Sequence, residues 1–237
     1  MKRKLLVCIA IIGLLLVSGC NKFRQSALDF KKEYEDINGR VIKVDLKYRT
    51  LNISENNPYI KVTINEILKK LENKETFYLY VGDPLCPWCR SGLEKMIEVA
   101  NNAGIEDIYY IDFWDDDHNE ILRDLYEVQT VNKKNQVVKI QDAASGYDTL
   151  LASVSQFAQD YTLTKDDKVY EVGVKRIFGG DHFYFENGVC KKYVSLRSDK
   201  LENAFDDLTD EVLKDQQEKF EEFFETNKAC VGGESNC

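Results

Sequence analysis

The stretch from Phe77 to Gly92, FYLYVGDPLCPWCRSG, constrains this chain more than any other. Its first five residues are aromatic, β-branched or leucine, the composition of a buried strand. Asp83 and Pro84 break the run, and Cys86-Pro87-Trp88-Cys89 follows. Leu93, Met96, Ile97 and Ala100 then recur at helical spacing in a segment that continues to Ala103. A cysteine pair therefore opens a helix directly after a buried strand.

That placement has chemical consequences. A thiolate at a helix N-terminus faces unpaired N–H groups and the positive end of the helix dipole, and both favour the ionised form. Cys86 is expected as the exposed nucleophile, and Cys89, one turn further in, as the resolving thiol that attacks a mixed disulfide. The two-residue spacer keeps the sulfurs within bonding range, and Pro87 suits the first helical turn, where a missing N–H costs nothing. Half a zinc site and a permanent disulfide also use C-x-x-C. The preceding strand, the Pro-Trp spacer and the amphipathic helix favour a redox turn.

The same residues resemble the thioredoxin superfamily, and more closely the thioredoxin-like lipoproteins of low-GC bacteria that are similar to bacteriocin transport accessory proteins. The resemblance is carried by CPWCR and its strand, by Tyr34-Glu35-Asp36-Ile37-Asn38-Gly39 and by Ile108-Tyr109-Tyr110-Ile111-Asp112. The hairpin from Phe183 to Gly188 and the segment Leu208-Thr209-Asp210-Glu211 also belong to it. It implies a thioredoxin-like α/β fold, a central mixed sheet flanked by helices, with an inserted helical and hairpin segment and a C-terminal helix. It further implies thiol-disulfide oxidoreductase activity through Cys86 and Cys89, with Pro87 and Trp88 setting the local potential and contact surface. No cofactor is implied. The clients would be thiols or disulfides of exported proteins or peptides, served by a separate redox partner. The alternative is a non-catalytic lipoprotein that uses the fold to bind a peptide or a metal.

Two departures from the family bear on mechanism. The family has a cis-proline eight residues before the turn glycine of the last hairpin; counting back from Gly188 reaches Gly180, and no proline follows Pro87. Gly180 is thus expected at the docking position beside the thiols, where glycine is permissive. The opened space would admit His182, and Cys86, Cys89 and His182 form the minor, metal-binding alternative; no metal site is assigned. Where thioredoxins carry a buried acid, six residues before the first cysteine, this chain has Tyr80, which leaves Asp83 and Asp112 as candidate bases for Cys89.

The N-terminus reads as an address. Met1-Lys2-Arg3-Lys4 is basic, Leu5 to Val17 is apolar, and Val17-Ser18-Gly19-Cys20 resembles a lipobox, which implies removal of residues 1–19, lipidation of Cys20 and anchorage on the extracytoplasmic face of the cell membrane. The first nineteen residues hold three of the 32 basic side chains and none of the 41 acidic ones, so the mature net charge is −12 against −9 for the whole chain. That charge excludes nucleic acid and electrostatic attraction to anionic lipid as partners. Beyond the redox pair, Cys190, Cys230 and Cys237 remain. Cys230 and Cys237 flank a flexible Val-Gly-Gly-Glu-Ser-Asn loop and could close a structural disulfide, or Cys190 could pair with either; spacing leaves both open.

The expected organisation is a lipidated tether over 20–40, a domain over 41–228 and a cysteine-containing tail over 229–237. Val41 to Tyr48 reads as an edge strand, Thr63 to Leu71 as a helix and Asp107 to Trp114 as a strand. Asp115-Asp116-Asp117-His118 reads as a helix start, ahead of a divalent-cation site, with Glu120 to Gln129 as the helix. Thr130 to Val172 exceeds a minimal thioredoxin fold: a hairpin over Val131 to Ile140 and a helix over Tyr147 to Tyr161 make it a candidate for partner choice. Asn187-Gly188 between aromatic runs predicts a tight hairpin. Asp199 with Glu202 reads as the cap of a terminal helix running to Lys228, broken near Thr209.

Overall fold

Residues 24–115 and 119–225 are described in a computed structural model of the chain. Helix α1 (24–35) leads to a small hairpin of β1 (Val41–Lys43) and β2 (Leu46–Lys47), then to β3 (Tyr59–Lys61), α2 (Ile64–Glu72), β4 (Phe77–Gly82), α3 (Pro87–Asn102) and β5 (Ile108–Asp112). Two further hairpins, β6 (Leu125–Val131) with β7 (Lys134–Gln141) and β8 (Gln159–Lys165) with β9 (Lys168–Arg176), flank α4 (Tyr147–Ser153). The chain closes with β10 (Asp181–Glu186), β11 (Val189–Ser195) and α5 (Asp210–Phe224).

Five strands form one mixed sheet in the order β11-β10-β4-β5-β3. β5 is parallel to both β3 and β4, whereas β10 is antiparallel to both β4 and β11. The molecule is thus an α/β protein with helices on both sheet faces. Period-two alternation sorts the strand side chains. Tyr78 and Tyr80 of β4, Tyr110 of β5 and Tyr184 of β10 face α1, α3 and α5; Phe77, Leu79, Val81, Ile111 and Phe183 face α2 and α4. Every residue of β4 is buried.

Local chemistry explains the boundaries. Thr63 caps α2 through a complete capping box with Glu66. Asn187 and Gly188 both have positive φ, 51° and 76°, the backbone that a two-residue hairpin needs. The segment expected as tether contributes α1, whose Phe30 and Tyr34 are buried in the core.

Several expectations are corrected. Val41 to Tyr48 forms an exposed hairpin of its own, and the sheet edge is β3, whose Tyr59 is buried against Phe30. No helix spans Glu120 to Gln129. Glu120 is pulled inward by Arg123 and Arg176 and bridges to Trp114, and Leu125-Tyr126-Glu127-Val128 enters β6, where β-branched and aromatic residues suit a strand. The hairpin after it spans Leu125 to Gln141, wider than Val131 to Ile140. The helix from Tyr147 ends at Ser153; Tyr161 lies in β8 instead, at an irregularity beside the paired residues Thr162, Leu163 and Thr164. Asp199 and Glu202 cap nothing helical: α5 begins after Thr209, whose side chain accepts the Val212 N–H, and it is described to Phe224. No described helix is long and apolar enough to cross a membrane.

Candidate active site

β4 delivers the chain to the cysteine turn at the C-terminal edge of the sheet. Asp83 shapes the turn: its carboxylate accepts the Leu85 N–H at 2.6 Å and its main-chain oxygen accepts the Cys86 N–H at 3.2 Å. Cys86 is the N-cap of α3, and its Sγ accepts the Cys89 N–H at 3.1 Å. A sulfur thus occupies the place where serine or aspartate commonly satisfies an orphan helix donor. Cys86, Pro87 and Trp88 are half-buried, Cys89 is fully buried, and both cysteines are free thiols.

Burial pushes the Cys89 thiol well above its ordinary range; the neighbouring Cys86 sulfur and the Asp83 carboxylate push the same way, and a hydrogen bond from the Asp83 main chain works against them. Burial also raises the Asp83 carboxyl to about 6, although the Leu85 N–H, the Arg123 charge and the Trp114 side chain favour its ionised form. A thiol held protonated therefore lies within electrostatic reach of a carboxyl that is mostly ionised at neutral pH. Asp112 is elsewhere engaged, taking Lys61 at 3.2 Å and the Trp114 N–H at 3.1 Å. Lys61 also pairs with Glu33, whose carboxyl is raised to about 7, chiefly by burial.

Beneath the turn, Tyr80 shares a 2.8 Å hydrogen bond with Tyr34. Arg90, the residue after the cysteine pair, is 1% exposed and has only neutral oxygens as partners. Its guanidinium donates to the main-chain oxygens of Tyr34, Arg49 and Pro84 and to Asn38 Oδ1. It ties α1, the segment after β2 and the cysteine turn together. Sequence reasoning missed this role; the available signal was a guanidinium at the buried start of an amphipathic helix.

The opposite wall differs from expectation by one residue. A Cβ on Gly179 would stand 2.9 Å from Cys86 Sγ and 3.1 Å from Cys89 Sγ, so it is Gly179 whose missing side chain lets the loop approach the sulfurs. Gly180 faces Leu196 instead, with φ +100°, and joins the sheet ladder through its N–H to Val81 and its carbonyl to the Leu196 N–H. There are no cis peptide bonds among the described residues. Asp181, buried behind this loop, accepts the Phe178 N–H at 2.8 Å and the Tyr193 hydroxyl at 3.0 Å.

His182 is taken up by partners other than the thiols. Its Nε2 lies 2.8 Å from the Tyr59 hydroxyl and its Nδ1 3.2 Å from the Gly180 carbonyl, and its ring stacks on Tyr80. Burial lowers it to about 3, so it is neutral. With both ring nitrogens engaged, it does not complete a metal set with Cys86 and Cys89, and no cluster of three metal-ligating side chains occurs among the described residues. Cys190 is a buried free thiol raised by burial to about 12. Cys20, Cys230 and Cys237, with Asp116, Asp117 and His118, lie outside the described residues. In comparisons with known proteins, this chain matches no protein-family model and no curated protein.

Proposed function

We propose that the chain is a thioredoxin-like thiol-disulfide oxidoreductase, anchored through lipidated Cys20 on the extracytoplasmic face of the membrane and acting on exported proteins or peptides. The observation that carries this reading is the cysteine pair at the start of α3: a half-exposed Cys86 caps the helix while Cys89 is buried one turn behind it. The sheet order, with parallel β3, β4 and β5 followed by an antiparallel hairpin, supports the thioredoxin-like assignment. The leader and its cysteine support the location.

In the reductive direction, the Cys86 thiolate attacks one sulfur of a client disulfide. The client S–S bond breaks, its other sulfur leaves as a thiolate, and a Cys86–client mixed disulfide forms. Cys89 then loses its proton to the Asp83 carboxylate and attacks Cys86 Sγ, releasing the second client thiolate and leaving a Cys86–Cys89 disulfide. Two electrons pass to the client, and an external dithiol partner returns them. In the oxidative direction the same steps run backwards, and Asp83 gives the proton to Cys89.

The first test is the reduction potential of the pair, with Cys86→Ser as control. A reversible two-electron couple between roughly −270 and −180 mV is expected; a pair that never equilibrates with glutathione would end the enzyme reading. Asp83→Asn should slow release of a mixed disulfide by roughly a hundredfold, the scale of lost base catalysis, without slowing its formation. In the native chain the release rate should rise as pH passes about 6, because Asp83 must be ionised to accept a proton. Release rates that ignore both the substitution and this pH range would remove Asp83 from the mechanism.

A further inference from the structure

β11 is the last strand of the sheet, and among the described residues no strand pairs with its outer edge. Its backbone has a definite polarity. Leu196, just beyond β11, donates its N–H inward to the Gly180 carbonyl at 3.0 Å, so by strand alternation Ser195 and Tyr193 turn their N–H and C=O groups outward. Those groups meet a cleft of about 690 Å³ running along the strand between Lys192 and Arg197. One wall carries Phe157 and Gln159, with Phe157 stacked on Tyr193 at 5.6 Å; the other carries Phe223, Lys219 and Glu222 of α5.

The cleft is continuous with the redox turn. The Arg197 guanidinium lies 4.6 Å from the centre of the Trp88 ring, so the residue that ends the cleft also packs on the residue between the two cysteines. The charge there runs against the rest of the chain. Three basic side chains and two acidic ones line the cleft, in a protein of net charge −9. Arg197 has no ion pair among the described residues, and the Lys192 ammonium donates only to the carbonyls of Glu222 and Phe223.

We propose that the outer edge of β11 binds an extended segment of a client polypeptide as an added strand, with an acidic side chain beside Arg197 and an apolar side chain against Phe157. Main-chain bonds to Tyr193 and Ser195 supply sequence-tolerant affinity, and the two walls receive the alternating side chains of the added strand. The inference deepens the thiol-exchange reading, on which it rests for its purpose: a segment seated here is delivered at its Arg197 end to Trp88 and Cys86.

The test uses the full chain in detergent and a fluorescein-labelled decapeptide of alternating leucine and threonine with one central aspartate and no cysteine, so that binding is separated from disulfide chemistry. Saturating peptide should slow amide hydrogen exchange at Tyr193 and Ser195 by about tenfold or more, the mark of new main-chain bonds, with no comparable change at inward-facing Val194. Arg197→Glu should weaken the aspartate peptide about tenfold and strengthen a lysine-for-aspartate version. Ser195→Pro, which removes one outward donor at an edge where proline is tolerated, should weaken both peptides.

Binding without slowed exchange at Tyr193 and Ser195, or indifference to Arg197→Glu in a folded variant, overturns the proposal. So does slowed exchange that appears without peptide and grows with protein concentration, since a second copy would then be the occupant. If the peptide binds as described while Cys86 and Cys89 fail to equilibrate with glutathione, the edge site stands and the redox reading falls.

Discussion

The two faces of the sheet bury different chemistry, and one buries more aromatic rings than the other. Against α1, α3 and α5 stand Tyr59, Tyr78, Tyr80, Tyr110 and Tyr184, with His182 among them and Tyr34 reaching in from α1; against α2 and α4 stand Phe77, Leu79, Val81, Ile111, Phe183 and Phe185. Cys89 belongs to the tyrosine face. Burial there requires partners, and the hydroxyls find them pairwise, Tyr34 with Tyr80 and Tyr59 with His182, while the Tyr110 hydroxyl has none. On the apolar face the buried polar groups include Asp181, the Tyr147 hydroxyl, which accepts the Ile177 N–H, and the Glu120–Arg123–Arg176 ion cluster. One face therefore gains stability from shape and area, and the other adds a set of directional bonds beneath the cysteine turn.

The largest effect should come from breaking the apolar face. Phe183 is fully buried between Tyr193 and the aliphatic side chains of that face. Phe183→Ala should cost about 3–5 kcal/mol in urea unfolding. A loss below about 1 kcal/mol would mean that this face is not close-packed.

Adjacent residues sharpen the comparison through pH. Asp181 points to the apolar face and is raised from 3.8 to about 7, chiefly by burial, against the Phe178 N–H, the Tyr193 hydroxyl and the Arg123 charge. The folded state then holds a proton that the unfolded chain releases, so this residue's stability contribution is lost as pH rises from about 4 to about 7. His182 points to the tyrosine face, between Tyr59 and the Gly180 carbonyl, and is lowered from 6.5 to about 3. Its contribution is lost as pH falls from about 6.5 towards 3. Each slope approaches about 1.4 kcal/mol per pH unit, and between pH 4 and 6.5 the two oppose one another. Asp181→Asn should tilt the stability profile upward with pH over that window relative to the native chain, and His182→Gln should tilt it downward. Asp83 and Glu33, raised by burial to about 6 and about 7, share the direction of Asp181 but are present in both chains, so the difference isolates the substituted residue. Parallel profiles for native and variant chains would contradict these charge assignments.

Much of the sheet was legible because its signals are local. Phe77 to Cys89 carries strand composition, a break and a helix start within thirteen residues, and Asn187-Gly188 specifies its hairpin by backbone conformation alone. Three-residue β3 carries too little pattern to outweigh Asn56-Asn57-Pro58 beside it, and only contacts with α1 and β5 make it a strand. Glu120 to Gln129 looked helical because acids and leucines are spaced to permit it; the buried ion cluster at Glu120 is a long-range event that no window of sequence contains. In the site, the Cys86 and Cys89 pair follows from spacing, whereas Asp83 is one of two acids, with Asp112, that the sequence leaves open. Gly179 does not follow from spacing, since counting back from a turn assumes a connection of fixed length, and the φ of +100° at Gly180 changes which glycine faces the sulfurs.

The smallest effect tests whether the tyrosine face works as pairs. Tyr80→Phe leaves the buried Tyr34 hydroxyl without its 2.8 Å partner and should cost about 1–3 kcal/mol; Tyr34→Phe should cost a similar amount for the reciprocal reason. The double variant keeps both rings and their packing against Phe30 and Tyr110 while removing both hydroxyls. It should therefore be nearer the native stability than the sum of the two single losses, by about 1 kcal/mol or more of coupling. Additive losses would mean that each hydroxyl is satisfied separately, and the tyrosine face would then differ from the apolar one in composition only. If coupling is found, the release rate of a mixed disulfide from Cys86 gives the functional half of the comparison. A double variant that is stable but releases at the native rate would assign the paired hydroxyls to holding the fold, and would leave Asp83 as the group that handles the Cys89 proton.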